Sequence, residues 1–181
     1  MALVDATELP TTDLALKYVA VGRGTQNYTC TASNPHPVQL GAVATLFDAT
    51  TLAYADESAL NSIPPIAVYV PLSSPDLFDK ANVLGYHFFD YAGTPTFNLS
   101  EVQNIFYGMK TADIEAPSTA NKGPAGTGAV DWLQLTAKVG YESVGCSLVY
   151  RVVTAGGAAP INCTIEGVLT VQYAAEYWFY N

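Results

Sequence analysis

Hydrophobic positions in this chain recur mostly with a period of two. Val171 to Tyr180 shows it best: Val171, Tyr173, Ala175, Tyr177 and Phe179 fall on one side, and Gln172, Ala174, Glu176, Trp178 and Tyr180 on the other. Alternation of this length predicts a half-buried β-strand whose successive side chains face opposite ways. Aromatic and β-branched residues suit such a surface. A terminal segment this aromatic is expected inside a sheet, because an untied terminus frays.

Shorter runs of the same kind predict strands at 18–21, 25–31, 42–47, 66–70, 83–91, 96–99, 105–107, 130–138, 148–154 and 168–179. Gly22-Arg23-Gly24 reads as a break between the first two, and Asn34-Pro35-His36-Pro37 as a turn. Residues 1–16 read as an irregular arm. Asp56 to Leu60 reads as a short helix stopped by Pro64-Pro65, and Pro75 opens a helical turn. Residues 111–128, rich in Gly, Pro and Thr, read as a long loop of the functional or mobile sort. Many short strands with no long helix predict one all-β domain over 1–181, an antiparallel β-sandwich or barrel, jelly-roll-like, with short helical turns.

The 181 residues suffice for a substantial core. Only 13% are charged, against roughly 25% in an ordinary soluble domain. A sheet face covered by a second copy would explain that, so a homodimer is expected. Seven basic and sixteen acidic residues give a net charge of -9 without a basic cluster, which leaves nucleic acid no electrostatic footprint. No run approaches the roughly 18 apolar residues of a membrane helix. Met-Ala-Leu-Val-Asp at the start does not read as a signal peptide. An intracellular protein, or a mature chain carrying an added start Met, is expected on that reading.

Candidate chemistry is sparse. No CxxC, HExxH, phosphate loop or nucleophile elbow occurs, and Gly22-Arg23-Gly24 lacks the rest of a dinucleotide fingerprint. His36 reads as solvated; His87, among Tyr86, Phe88 and Phe89, is either a satisfied core histidine or a ligand contact. Asp48, Asp90, Asp131 and Glu176 lie among apolar neighbours, and Arg151 sits mid-strand. A buried charge needs a partner, so Arg151 is expected to pair with Glu176 or Asp131. Two such carboxylates in a cleft would otherwise suit a glycosidase. The three cysteines, Cys30, Cys146 and Cys163, leave at least one free thiol; Cys146 reads as buried and inert. Sequons at Asn27, Asn98 and Asn162 count only if the chain is secreted.

Several motifs in order carry a resemblance: Gln26-x-Tyr28-x-Cys30, Ala44-x-Leu46-x-Asp48, Gly85-x-His87-Phe88, Pro95-Thr96-Phe97, Asp131-Trp132-Leu133, Tyr150-Arg151-Val152-x-Thr154-x-Gly156-Gly157-x-x-Pro160-x-x-Cys163 and Tyr173-x-Ala175-x-Tyr177-x-Phe179-Tyr180. From residue 18 to 180 the chain resembles a domain-of-unknown-function family found in bacteria and fungi. Its fungal members often carry the label "malate dehydrogenase", for which this chain has no dinucleotide cradle. The resemblance implies secretion and a Cys30–Cys163 disulfide. Tyr86 stands where many members carry a second His, so a His-pair metal site is not expected. A pigment-holding fungal member implies a non-enzymatic chromoprotein that binds a non-covalent, indolone-type aromatic chromophore. On that reading, aromatic walls would exclude water and Tyr86, His87, Trp132, Arg151, Tyr173 and Tyr177 would hold a flat, conjugated, anionic ligand. The alternatives are a carbohydrate-binding or cell-wall glycoside-acting protein using the carboxylates, and a ligand-free structural or storage protein.

Overall fold

A computed structural model describes residues 8–72, 82–164 and 166–181. Eight antiparallel strands close a barrel in chain order: β1 (Leu16–Thr31), β2 (Asn34–Asp48), β3 (Val83–Phe89), β4 (Pro95–Leu99), β5 (Asn104–Ile114), β6 (Trp132–Ala137), β7 (Leu148–Gly156) and β8 (Gly167–Tyr180). The barrel alternative is therefore the one formed. Every strand pairs with its neighbours in sequence and β8 returns to β1, an up-and-down winding rather than the crossed connections of a jelly roll. Three short helices, α1 (Thr50–Ala55), α2 (Glu57–Asn61) and α3 (Ile63–Ala67), lie between β2 and β3, and a 3-10 turn (Ser100–Val102) joins β4 to β5.

β1 is continuous where Gly22 and Gly24 suggested a break. Both glycines serve close approach. A Cβ on Gly22 would sit 2.5 Å from the Tyr177 ring, and one on Gly24 would strike the Val43 carbonyl. Asn34 to Pro37 is already strand β2. Residues 66–70, expected as a strand, instead finish α3 and a turn, because Pro64 and Pro65 occupy the first helical positions and start a helix rather than stop one. Arg23 fixes that turn by donating to the carbonyls of Ala67, Val70 and Pro71, and Gln172 donates to Val68 and Val70. The helical turn expected at Pro75 lies outside the described residues.

The barrel interior holds Leu46, Leu99, Phe106, Leu135, Val149 and Phe179. A second apolar layer lies outside the wall, where the N-terminal arm and the helices cover β7, β8 and β1 with Leu9, Leu60, Tyr150 and Trp178. The Tyr150 hydroxyl donates to the Pro10 carbonyl and receives the Gln134 amide. This double cover changes the reading of β8: the strand is buried on both faces, not half-buried. Glu176, on the covered outer face, is fully buried. Cys30 and Cys163 form a disulfide spanning 133 residues. On the uncovered face Val43, Tyr86, Phe88 and Met109 are exposed.

Candidate functional site

Alternation along all eight strands aims one set of side chains at a cavity of about 400 Å³ at one end of the barrel. Register places His87 beside Phe97 on β3 and β4, Leu133 beside Arg151 on β6 and β7, and Arg151 beside Tyr177 on β7 and β8. Gln39 and Tyr28 close the β1–β2 side, Phe89 and Pro95 the β3–β4 side, and Lys110 and Asp113 stand on β5. Ala129, Val130 and Asp131 complete the wall from the long loop before β6. That loop is anchored rather than loose: Val130 donates to the Gly156 carbonyl, Gly156 to the Asn121 carbonyl, and Thr127 to the Ala158 carbonyl.

His87 is buried and stacks on Phe97 with centroids 4.1 Å apart, tilted toward Phe89 and Tyr177. Its Nδ1 lies 2.9 Å from the Thr96 carbonyl. A carbonyl only accepts, so Nδ1 carries the proton and Nε2 is the free acceptor. Burial, helped by the Arg151 charge, lowers the ring to about 4 against the opposing pull of the Thr96 bond. The imidazole is therefore neutral near pH 7.

The hydroxyls of Tyr173 and Tyr177 meet at 2.9 Å in the interior. Burial raises both phenols, and for Tyr177 the nearby Arg151 charge and the contact with Tyr173 partly offset it. Either hydroxyl can donate in that pair; when Tyr173 does, the Tyr177 proton is free to point at a bound group. Arg151 donates through Nε and Nη2 to the Asp131 carbonyl at 3.2 and 2.9 Å. Among the described residues no carboxylate lies within salt-bridge distance of it; the ion pair at the cavity is Lys110–Asp113 at 3.2 Å. The expected pairing of Arg151 with Glu176 does not form. Those residues face opposite sides of the wall, and Asp131 contributes its backbone. Burial and the neighbouring Asp113 raise the Asp131 carboxyl despite Arg151. Tyr28 donates to the Gly157 carbonyl at 2.7 Å.

The candidate residues thus separate. His87, Arg151 and Tyr177 line the cavity. Tyr173 lies behind Tyr177 as its hydrogen-bond partner. Tyr86 points outward, 51% exposed, because its neighbour His87 points in. Trp132 packs outside the wall against the layer formed with Leu9 and Tyr150. Sequence reasoning did not nominate Tyr28, Gln39, Phe89, Phe97, Lys110 or Asp113. Phe89 and Phe97 carried a signal, since each holds the same parity as His87 across a short hairpin. Of the four carboxylates considered, only Asp131 reaches the cavity. Asp48 caps the Thr50 amide, and Asp90 takes the Ala92 and Thr94 amides in a turn. Glu176 accepts from Trp178 Nε1 at 2.9 Å and, with the Asn61 amide turned to present its nitrogen, from Asn61 at 2.9 Å. Cys146 is free and buried, its thiol pushed up to about 11 by burial. Among the described residues no group of three His, Cys, Asp or Glu could hold a metal ion.

Comparison with curated proteins and with solved structures gave no match. A family model described as "Protein of unknown function (DUF3455)" matches residues 10–181. That match spans the arm, all eight strands and both cysteines of the disulfide, so the chain belongs to the DUF3455 family.

Proposed function

We propose that this barrel is a non-catalytic carrier that holds a flat, conjugated aromatic molecule, a pigment of indolone type, in the His87–Phe97–Tyr177 cavity. The observation that carries the reading is a space of about 400 Å³ in which the rings of His87, Phe89, Phe97 and Tyr177 face a polar set that includes Gln39, Asp131 and Arg151. Small-molecule pockets occupy roughly 300–1,000 Å³ and use a few placed polar groups to orient the occupant. Phe89, Phe97 and Tyr177 supply surface for ring contact, and His87 Nε2 supplies an acceptor. A ligand held there absorbs with its own electronics, tuned by these neighbours.

The carboxylate reading draws little support, because three of the four acids it used are capping or buried groups elsewhere. The disulfide suits an oxidising compartment, and we place the protein outside the cell on that basis. The exposed Val43, Tyr86 and Phe88 on β2 and β3 suit a second copy; light scattering that returns a monomer mass would remove the dimer.

The test is an ultraviolet–visible spectrum of the protein purified from its natural source, with mass spectrometry after denaturation. A visible band that co-elutes with the protein and a small released mass are expected. A clean protein spectrum with no released mass overturns the reading.

A further inference from the structure

Resting on the cavity reading above, we infer that the occupant binds as an anion, with a carboxylate, phenolate or enolate oxygen held by Arg151 and the Tyr177 hydroxyl.

Arg151 is 8% exposed and donates to the Asp131 backbone carbonyl. Among the described residues it is the cavity-lining cation without a carboxylate partner, since Lys110 is engaged by Asp113. The Asp131 carboxyl acts on Arg151 only through space, without a direct ion pair, so an ionised oxygen in the cavity supplies the direct contact that a buried charge favours. When Tyr173 donates in the hydroxyl pair, Tyr177 offers its own O–H, which suits the same oxygen. Neutral His87 adds no charge. Its Nε2 accepts, so it takes an N–H or O–H from another edge of the ligand. The cavity is thus polar in a definite sense: donors on the β7–β8 side and an acceptor on β3.

The surroundings sharpen the claim. The chain carries a net charge of -9, and Asp113 and Asp131 stand at the cavity. The long-range field repels an anion, so any preference for one must arise at short range from Arg151. At physiological salt that field is screened beyond about 8 Å.

The experiment uses two isosteric bicyclic probes, 2-naphthoate and its neutral amide 2-naphthamide, titrated calorimetrically at neutral pH. A hydrogen-bonded ion contact predicts about tenfold or greater preference for the naphthoate. Arg151→Gln removes the preference while leaving naphthamide binding in place, and Lys110→Gln retains it. Equal affinity for both probes, or a preference that survives Arg151→Gln, overturns the inference while leaving the carrier reading standing. Failure of both probes to bind the unsubstituted protein overturns the carrier reading and this inference with it. Where Arg151→Gln does not fold, Lys110→Gln decides alone between the two cations: loss of the preference there overturns the role of Arg151, and its retention supports it.

Discussion

Glu176→Gln should change the pH dependence of stability in a calculable way. Glu176 is fully buried behind β8 and accepts from Trp178 and Asn61, with no cation facing it among the described residues and Glu57 adding repulsion. Burial therefore raises its carboxyl from 4.5 to about 7. Its folded value lies above its unfolded value, so its contribution is fully present below pH 4.5 and is lost as pH rises to about 7. His87 behaves in the opposite sense: its value falls from 6.5 to about 4, so stability is present above pH 6.5 and lost as pH falls toward 4. Each shift corresponds to about 3 kcal/mol. Between pH 4.5 and 6.5 the two slopes, each about 1.4 kcal/mol per pH unit, cancel. Glutamine keeps the acceptor for Trp178 and can donate to a turned Asn61 amide, so it mimics the protonated acid. The variant should match the parent near pH 4 and exceed it by about 3 kcal/mol near pH 8. Urea unfolding of both proteins at half-unit pH steps measures the difference curve, in which every other titrating group cancels. Parallel curves over that range would refute the reasoning, because they would mean that Glu176 does not change its protonation there.

Three further outcomes follow from packing and covalent structure. Replacing Cys30 and Cys163 together by Ser should cost about 5 kcal/mol, the chain-entropy value for a loop of 133 residues, read as a lower unfolding midpoint; the parent should show one titratable thiol in denaturant, that of Cys146. Gly22→Ala should cost about 1–3 kcal/mol and weaken naphthamide binding, since the new methyl meets the Tyr177 ring at 2.5 Å; an unchanged midpoint would contradict the packing described. Tyr177→Phe should cost about 1–3 kcal/mol because the buried Tyr173 hydroxyl loses its partner, and adding Tyr173→Phe should recover part of that loss in a double-mutant cycle.

Much of this architecture is legible in the sequence, and the failures share one cause. Period-two alternation marks strands by the chemistry of their own side chains, so β6, β7 and β8 fall where expected. It fails where a residue is chosen for its neighbours. Gly22 and Gly24 look like breakers but are spaces left for Tyr177 and for the backbone of β2. Ile66 to Val70 looks like a strand by β-branching, yet the preceding prolines and the clamp from Arg23 and Gln172 hold it as helix and turn. Arg151 was visible as an oddity in an apolar strand and Asp131 was one of its two expected partners, but the use of the Asp131 backbone carbonyl was not visible, because a carbonyl leaves no mark in composition. Tyr86 and Trp132 were misplaced for the simplest reason: each is one residue from an inward position, and parity in a strand is absolute.

That parity explains how one strand serves two purposes. On β8 the inward residues Tyr173, Ala175, Tyr177 and Phe179 join the barrel interior, with Tyr177 reaching the cavity, while Ala174, Glu176 and Trp178 pack toward the helices and arm outside. Neither layer can shift without the other, because both hang on the same backbone between β1 and β7. The hydrogen bond between Tyr173 and Tyr177 and that from Trp178 to Glu176 are the inner and outer forms of one device, a polar atom kept in an apolar layer by a neighbour on its own strand. The opposite wall, β2 to β4, has no helical cover among the described residues, and its inward His87 and Phe97 are held by stacking and by a backbone carbonyl instead. The cavity therefore lies between a doubly supported wall carrying the donors and a singly supported wall carrying the acceptor and the aromatic rings. Adjustment to an occupant should fall on the second wall, where Phe89 has Gly41 packed against its ring rather than a larger side chain.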